Sequence, residues 1–466
     1  MKTFEERKKK FEDLKNTINF NNNIVILGLG GVGTLLVYIL SKILINPKII
    51  VLDKNKLMFD KIKNLKVRKI IGNVNSKNLK KIFIDELKLQ SNDIIIDSSF
   101  EIDTLDMFIL CHQYGISFIN SAVEDWNDSK INYDTYAQRI YQIEIQNLNF
   151  NSKNTNFIIG LGCNPGNVNL WIIYALRIIN KKFFKFNEKK DNHLSHLMEL
   201  RTIHISEKDS QITNNPKRFN EYLNTWASNK NSWYDEAFSY VEVSWGSHEK
   251  NIYDNMIESD HNQMIINQEG CNYFARTYVP STPRMLGMMI RHEECYTISK
   301  YLSIKDKYTP SCYYIYHPND SSKASIYEVI ERNYKYQDNH RLMTNDIIDG
   351  LDEVGATLFF NNGMVFWVGS ILSIKESRDL FDNQLNQYVN ATLLQVVAGY
   401  LGGIIYLIKL INNNQKLGLI LPEEIPLNDY LNISKIFLGI FGIFKVNWNS
   451  KNPNDKWQFD EFLVDL

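Results

Sequence analysis

Several ingredients are missing from this 466-residue chain, and each absence excludes something. Cysteine is sparse: Cys111, Cys163, Cys271, Cys295 and Cys312 lie far apart, with no C-x-x-C pair. That rules out a disulfide frame or a zinc cage and fits reduced thiols in the cytoplasm. Neither sign of charge dominates, with 52 Lys and Arg against 53 Asp and Glu. Nucleic acid and anionic membrane are therefore not expected as partners. The opening MKTFEERKKKFEDLK has no apolar signal core, so no export is expected. Two uncharged apolar runs, 24–40 and 391–408, could be mistaken for membrane spans, but glycines and polar residues interrupt both. They read as buried helices, not membrane spans, which need about 20 apolar residues. The histidine pair His193 and His196 has no third ligand nearby, and no P-loop or Ser–His–Asp pattern occurs, so no metal is expected.

What is present begins with alternating elements. NIVILGLG, KIIVLD, VRKIIGNV, DIIIDSS and GISFIN read as short apolar strands separated by helical segments. Such alternation predicts a parallel, doubly wound sheet over residues 1–163. From 164 to 380 aromatics are dense and turns frequent, which predicts an α+β domain with an open antiparallel sheet. Residues 381–466 return to apolar helical periodicity and are expected to pack back on the first domain. The fold class is thus α/β, a Rossmann domain followed by an α+β domain.

The stretch GLGGVG places Gly28, Gly30 and Gly33 in G-x-G-x-x-G spacing between a strand and a helix, with Gly31 and Val32 inside the turn. The first glycine makes a tight turn, the second admits a pyrophosphate, and the third lets helix and strand approach. Asp53 ends the next strand, twenty residues after Gly33. An acid there accepts from ribose hydroxyls, which favours NAD over NADP, although Lys54 beside it could meet a 2′-phosphate. Asn73 in GNVN, and Ser98 and Ser99 in DSSF, fall at the carboxyl ends of later strands, where such a ligand lies.

The middle of the chain is rich in acid–aromatic clusters: VEDW, HISEKDSQ, NTWASNKNSWYDE, SWGSHE, RHEEC and DGLDEVG. Carboxylates with indole faces suit a cationic ligand, whereas a carboxylate substrate needs convergent arginines. Arg201, Arg276, Arg284 and Arg291 cluster with these motifs less clearly than the acids do.

These motifs carry a resemblance. GCNPGNVN, VEDW, HISEKDSQ, NTWAS, WGSHE, CYYIYHPND, DGLDEVG and WVGSILSIKESR resemble, in order and over nearly the whole chain, the signatures of bacterial homospermidine synthase. More distantly the chain resembles saccharopine and carboxyspermidine dehydrogenases. The resemblance implies an enzyme that oxidises putrescine with NAD, condenses the imine with a second putrescine or spermidine, releases ammonia, and re-reduces the product with the same NADH. It also implies a homodimer.

Carried over motif by motif, the resemblance puts Asn164 and Glu207 at the reacting amine, with Pro165 beside them against the cofactor. Trp226 would stabilise the cationic intermediate, Glu236 would bind an ammonium, and His292 with Glu294 would carry protons. Glu124 and Asp352 would hold the distal amine, with Asp349 as a rival to Asp352. The family's HNES is HEEC here, and its VEPW is VEDW; both departures add acid beside assigned residues. Two alternatives stand against this reading: a reductase of the saccharopine type, and a nucleotide-binding sensor without chemistry.

Overall fold

A computed structural model describes residues 3–126, 135–260, 262–381 and 384–464. The first domain forms where Ile and Val runs are too apolar for a one-sided strand. Strands β1 (Asn23–Leu27), β2 (Lys48–Asp53) and β3 (Ile94–Asp97) are buried almost throughout, as parallel strands covered on both faces must be. β1 pairs in parallel with β2 on one side and β3 on the other. This is the point where strand order reverses, and the crevice outside it is where α/β sheets bind ligands. Helix α1 (Gly31–Ile43) leaves β1 through the glycine turn and is buried along most of its length.

Beyond β3 the sheet continues through Ser117–Asn120 and Asn156–Ile158 to Gly418–Ile420, and beyond β2 to Arg68–Ile71. All seven strands are parallel. The edge strand Gly418–Ile420 arrives from the far end of the chain, because Asn156–Ile158 still has a free edge to pair.

The second domain is built on a ten-stranded sheet. Its centre is β4 (Leu200–Asp209), flanked by β5 (Ser311–His317) and β6 (Leu351–Phe360). β4 and β5 run in parallel, and the other pairs are antiparallel. The sheet is therefore mostly antiparallel, with one parallel pair at its centre. Helices α2 (Asn167–Ile179), α3 (Lys230–Ala237) and α4 (Glu294–Leu302) accompany this domain.

The segment after 380, expected to be helical, divides between both sheets: Gly418–Ile420 joins the first, and Ile440–Val446 pairs with Val365–Ser373 in the second. Between them runs α5 (Ala391–Asn412), long and apolar enough to cross a membrane but almost wholly buried inside the fold. It ties the two domains together. The Tyr400 hydroxyl donates to the Asp97 carbonyl at 2.5 Å, and Gln395 Nε2 donates to Asp352 Oδ2 at 3.1 Å. A Cβ on Gly399 would stand 1.8 Å from the Gly162 carbonyl oxygen, so only glycine lets α5 lie on the turn at 162–166.

Candidate active site

The glycine turn is built from backbone. Gly28 has φ +82° and donates its N–H to the Leu52 carbonyl at 2.9 Å. A Cβ at Gly33 would lie 2.0 Å from the Gly28 carbonyl oxygen, so the third glycine sets how closely helix meets strand. Asp53 Oδ2 accepts from the Leu29 N–H at 2.6 Å, and Oδ1 from Asn55 N–H at 2.7 Å. These bonds fix the carboxylate at the end of β2.

An outer cleft of about 260 Å3 opens in front of this turn. Gly28, Gly30, Gly31, Val32, Asp53, Asn73, Ser98 and Ser99 all line it. Gly33 does not; it lies beneath the turn, in its packing role. Ser98 braces the turn, since its hydroxyl donates to Leu27 O at 2.8 Å and lies 3.1 Å from Gly28 O. The Ser99 hydroxyl donates to Asp97 Oδ1 at 2.5 Å. The cleft fits a dinucleotide: the glycine turn and the amides that open α1 face it for the pyrophosphate, and Asp53 disfavours a 2′-phosphate at the ribose end.

A second-domain loop closes on the same place. Ser228 Oγ accepts from the Gly31 N–H at 2.9 Å, across 197 residues of sequence. No local pattern marks this contact, and the sequence reading did not include Ser228.

An inner cavity of about 130 Å3 continues from the cleft and shares with it Val32, Ser121, Ala122, Tyr136, Trp226 and Glu236. Its walls bring together Asn164, Glu207, Trp226, Glu236 and His292. Pro165 lies here too, in the inner wall rather than the cleft. Glu124 lines the outer cleft. Glu294 and Asp352 stand one layer back. Asp352 is 1% exposed and donated to by Gln395, while Asp349 is exposed and spends Oδ1 on the Gly350 N–H. Of the two rivals, Asp352 is thus the inward carboxylate.

Glu207 projects from β4 and is oriented by two donors, Asn164 Nδ2 at 2.7 Å and the Tyr314 hydroxyl at 2.8 Å, both onto Oε2. Burial pushes its carboxyl up to about 7 against those hydrogen bonds. Behind it burial also raises Asp352, with the charges of Glu207 and Asp209 adding to the effect. Asp209 is held by Thr225, Asn319 and Gln211.

His292 sits between two carboxylates, Nδ1 at 2.8 Å from Glu294 and Nε2 at 3.8 Å from Glu236. Burial lowers its pKa, but the two anions more than reverse that and hold it well above its ordinary value. Burial raises Glu236, and His292 opposes the shift.

Aromatic rings complete the wall. Trp226 meets Trp233 edge-on at 5.9 Å, Trp233 meets Tyr316 edge-on at 5.7 Å, and Tyr314 stacks on Tyr316 at 5.9 Å. Tyr314 and Tyr316 share one face of β5 because strand side chains alternate. The alternation in CYYIYH was the signal that could have placed them in the site.

Among the described residues no Lys or Arg lines the inner cavity. Arg201 contacts Asp455, Arg276 donates to a backbone carbonyl, Arg284 lies over Trp448, and Arg291 is paired with Asp235 and Glu242. Among the described residues no group of three His, Cys, Asp or Glu side chains is arranged to hold a metal ion. The cavity can accept a cationic amine, take a proton from it at Glu207, and keep it against aromatic faces.

Comparison with known proteins agrees with this geometry. Residues 24–155 match the saccharopine dehydrogenase NADP-binding domain family. The chain is 26% identical over 406 residues to a homospermidine synthase of Mesorhizobium japonicum, covering 79% of this chain and 80% of that protein. It is 25% identical over 399 residues to a homospermidine synthase of Blastochloris viridis, covering 79% and 81%. The crystal structure of a homospermidine synthase from Legionella pneumophila in complex with NAD superposes with a TM-score of 0.86 at 29% identity, over 97% of this chain and 99% of that one.

Proposed function

We propose that this chain is a homospermidine synthase that uses NAD. The observation that carries the reading is an inner cavity walled by Glu207, Glu236, Glu293 and aromatic rings, with no Lys or Arg among the described residues. A reductase acting on a carboxylate substrate would need a cation there.

NAD, when bound, supplies the hydride acceptor and then the donor. The proton steps fall to the chain. Putrescine arrives as an ammonium, which has no lone pair to support loss of hydride from carbon. Glu207, held near neutrality by burial, takes that proton. Asn164 orients the carboxylate that receives it. After hydride leaves the adjacent carbon, the substrate is an iminium, and the Trp226 face with Glu236 stabilises the positive charge. A second putrescine adds through its neutral nitrogen, and a proton passes to the departing nitrogen, which leaves as ammonia. His292, between Glu236 and Glu294, is placed to deliver that proton. Return of the hydride gives sym-homospermidine with no net redox change. Glu124, at the cleft wall, and Asp352, behind Glu207, hold the remote ammonium groups electrostatically.

The protein acts in the cytoplasm as a homodimer in this reading. All five cysteines are free and buried. The second sheet ends in Ile440–Val446, a partly exposed edge strand able to meet a second copy.

The test is to incubate the protein with putrescine and a trace of NAD, and to follow homospermidine by mass spectrometry and NADH by absorbance. Homospermidine in large excess over NAD, without NADH accumulation, is expected. NADH formed in step with substrate loss, and no homospermidine, would replace the synthase with an amine dehydrogenase.

A further inference from the structure

Glu293 has no part in the steps above, yet it lines the inner cavity and is 3% exposed. Its Oε1 accepts from the Val123 N–H at 3.2 Å, and its Oε2 has no hydrogen-bond partner among the described residues. A buried carboxylate oxygen with nothing to accept from is costly, and such groups persist where a ligand completes them. Nothing from Gly160 crowds the carboxyl: a Cβ built there would still be 3.6 Å from Glu293 Cδ. Among the described residues the cations near it are engaged elsewhere. His292 is flanked by Glu294 and Glu236, Arg139 pairs with Asp125 at 2.9 Å, and Arg291 pairs with Asp235 and Glu242.

We propose that Glu293 is a specificity-determining residue whose free oxygen accepts from the ammonium at the non-reacting end of a diamine, so that the site selects diamines over monoamines. The inference rests on the amine-transferring function proposed above, and it gives the remote ammonium a hydrogen-bond acceptor beside the longer-range charges of Glu124 and Asp352. Two neighbouring acids explain why a cation is needed. Glu294 adds its charge to burial in raising Glu293, and Glu124 feels Glu293 in turn. Burial lifts the Glu293 carboxyl to about 8. It is therefore largely protonated at pH 7 and gives up its proton when an ammonium arrives.

The test uses the complex with NADH, in which amines bind without being oxidised. Titration calorimetry compares putrescine with n-butylamine, the same carbon chain without the second ammonium, on wild type and Glu293→Gln. Wild type is expected to bind putrescine far more tightly. Glu293→Gln should narrow the ratio by roughly tenfold, the scale of one charge-assisted hydrogen bond, while n-butylamine and NADH affinities hold. Run in two buffers of different ionisation enthalpy, the variant should release up to one proton fewer on binding putrescine at pH 7. An unchanged ratio and unchanged proton release, with NADH affinity intact, would remove Glu293 from the site. Failure of wild type to bind either amine would sink the functional reading, and this subsite with it.

Discussion

The outer cleft and the inner cavity share a wall but are made of different material. The cleft is mostly backbone: a glycine turn, the amides that open α1, and Asp53 pinned by Leu29 and Asn55. The cavity is side chain: Glu207, Glu236, Glu293 and His292 among rings. The cleft's core comes from one short strand–turn–helix–strand stretch, while the cavity draws on 163–165, β4, the loop into α3, 292–293 and β5. A pyrophosphate can be recognised by local conformation. Deprotonating an ammonium needs a carboxyl raised by burial, and only tertiary packing creates that burial.

If the division is real, a change on one side should leave the other standing. The largest effect is expected from Glu207→Gln, which keeps shape and hydrogen-bond reach but loses the base. Turnover should fall by about 10³-fold, within the usual range for a general base, while NAD binding measured by fluorescence stays at the wild-type value. A parallel collapse of NAD affinity would mean that cleft and cavity are one structural unit. The converse change is Gly33→Ala, whose Cβ would meet the Gly28 carbonyl at 2.0 Å. Overpacking of that kind costs about 1–3 kcal/mol. NAD should bind roughly ten- to a hundredfold more weakly, while Glu207, in the other domain's sheet, keeps its hydrogen bonds to Asn164 and Tyr314.

A pH series sharpens the comparison further. Glu207 is raised to about 7, so in the free protein the proton stays on the carboxyl below that pH and leaves above it. The base is the ionised form. kcat/KM for putrescine should therefore rise by about tenfold per pH unit up to about 7 and then bend toward a plateau. NAD affinity should not follow the ionisation of Glu207, because Glu207 does not line the cleft. A kcat/KM flat from pH 6 to pH 8 would take Glu207 out of the role of base.

The same division explains what was legible in the sequence. Strand, turn, helix and Asp53 could be read directly, because each is fixed by residues within thirty positions of the others. The parallel pairing of β4 with β5 could not, since their strands lie about a hundred residues apart and either direction satisfies the same alternation. Nor could the edge strand Gly418–Ile420, whose three residues carry little pattern of their own. The resemblance placed Glu207, Asn164, Trp226, Glu236 and His292, and the fold brings all five to one cavity. It assigned Pro165 to the cofactor, and the fold sets it in the inner wall; it left the choice between Asp349 and Asp352 open. Both questions turn on where a side chain points after packing, and no spacing records that. Glu293 stood in view as an extra acid in RHEEC, but its unpaired oxygen exists only in three dimensions.

The smallest expected effect falls on the one contact that crosses the division. Ser228 belongs to the loop that carries Trp226, and that loop is anchored to the substrate side: Thr225 donates to Asp209 Oδ2 at 2.7 Å, and Asn224 Oδ1 accepts from the Trp226 and Ala227 N–H groups. Its hydroxyl nevertheless accepts from Gly31, on the amides that a pyrophosphate would use. A hydroxyl is donor and acceptor at once, so it can turn and donate to a phosphate oxygen while the loop stays in place. In that case Ser228→Ala removes one hydrogen bond worth about 1 kcal/mol, and NAD should bind about fivefold more weakly with kcat little changed. Tighter NAD binding in the variant would mean the opposite: the hydroxyl competes with the pyrophosphate for Gly31, and the loop must withdraw before the cofactor enters.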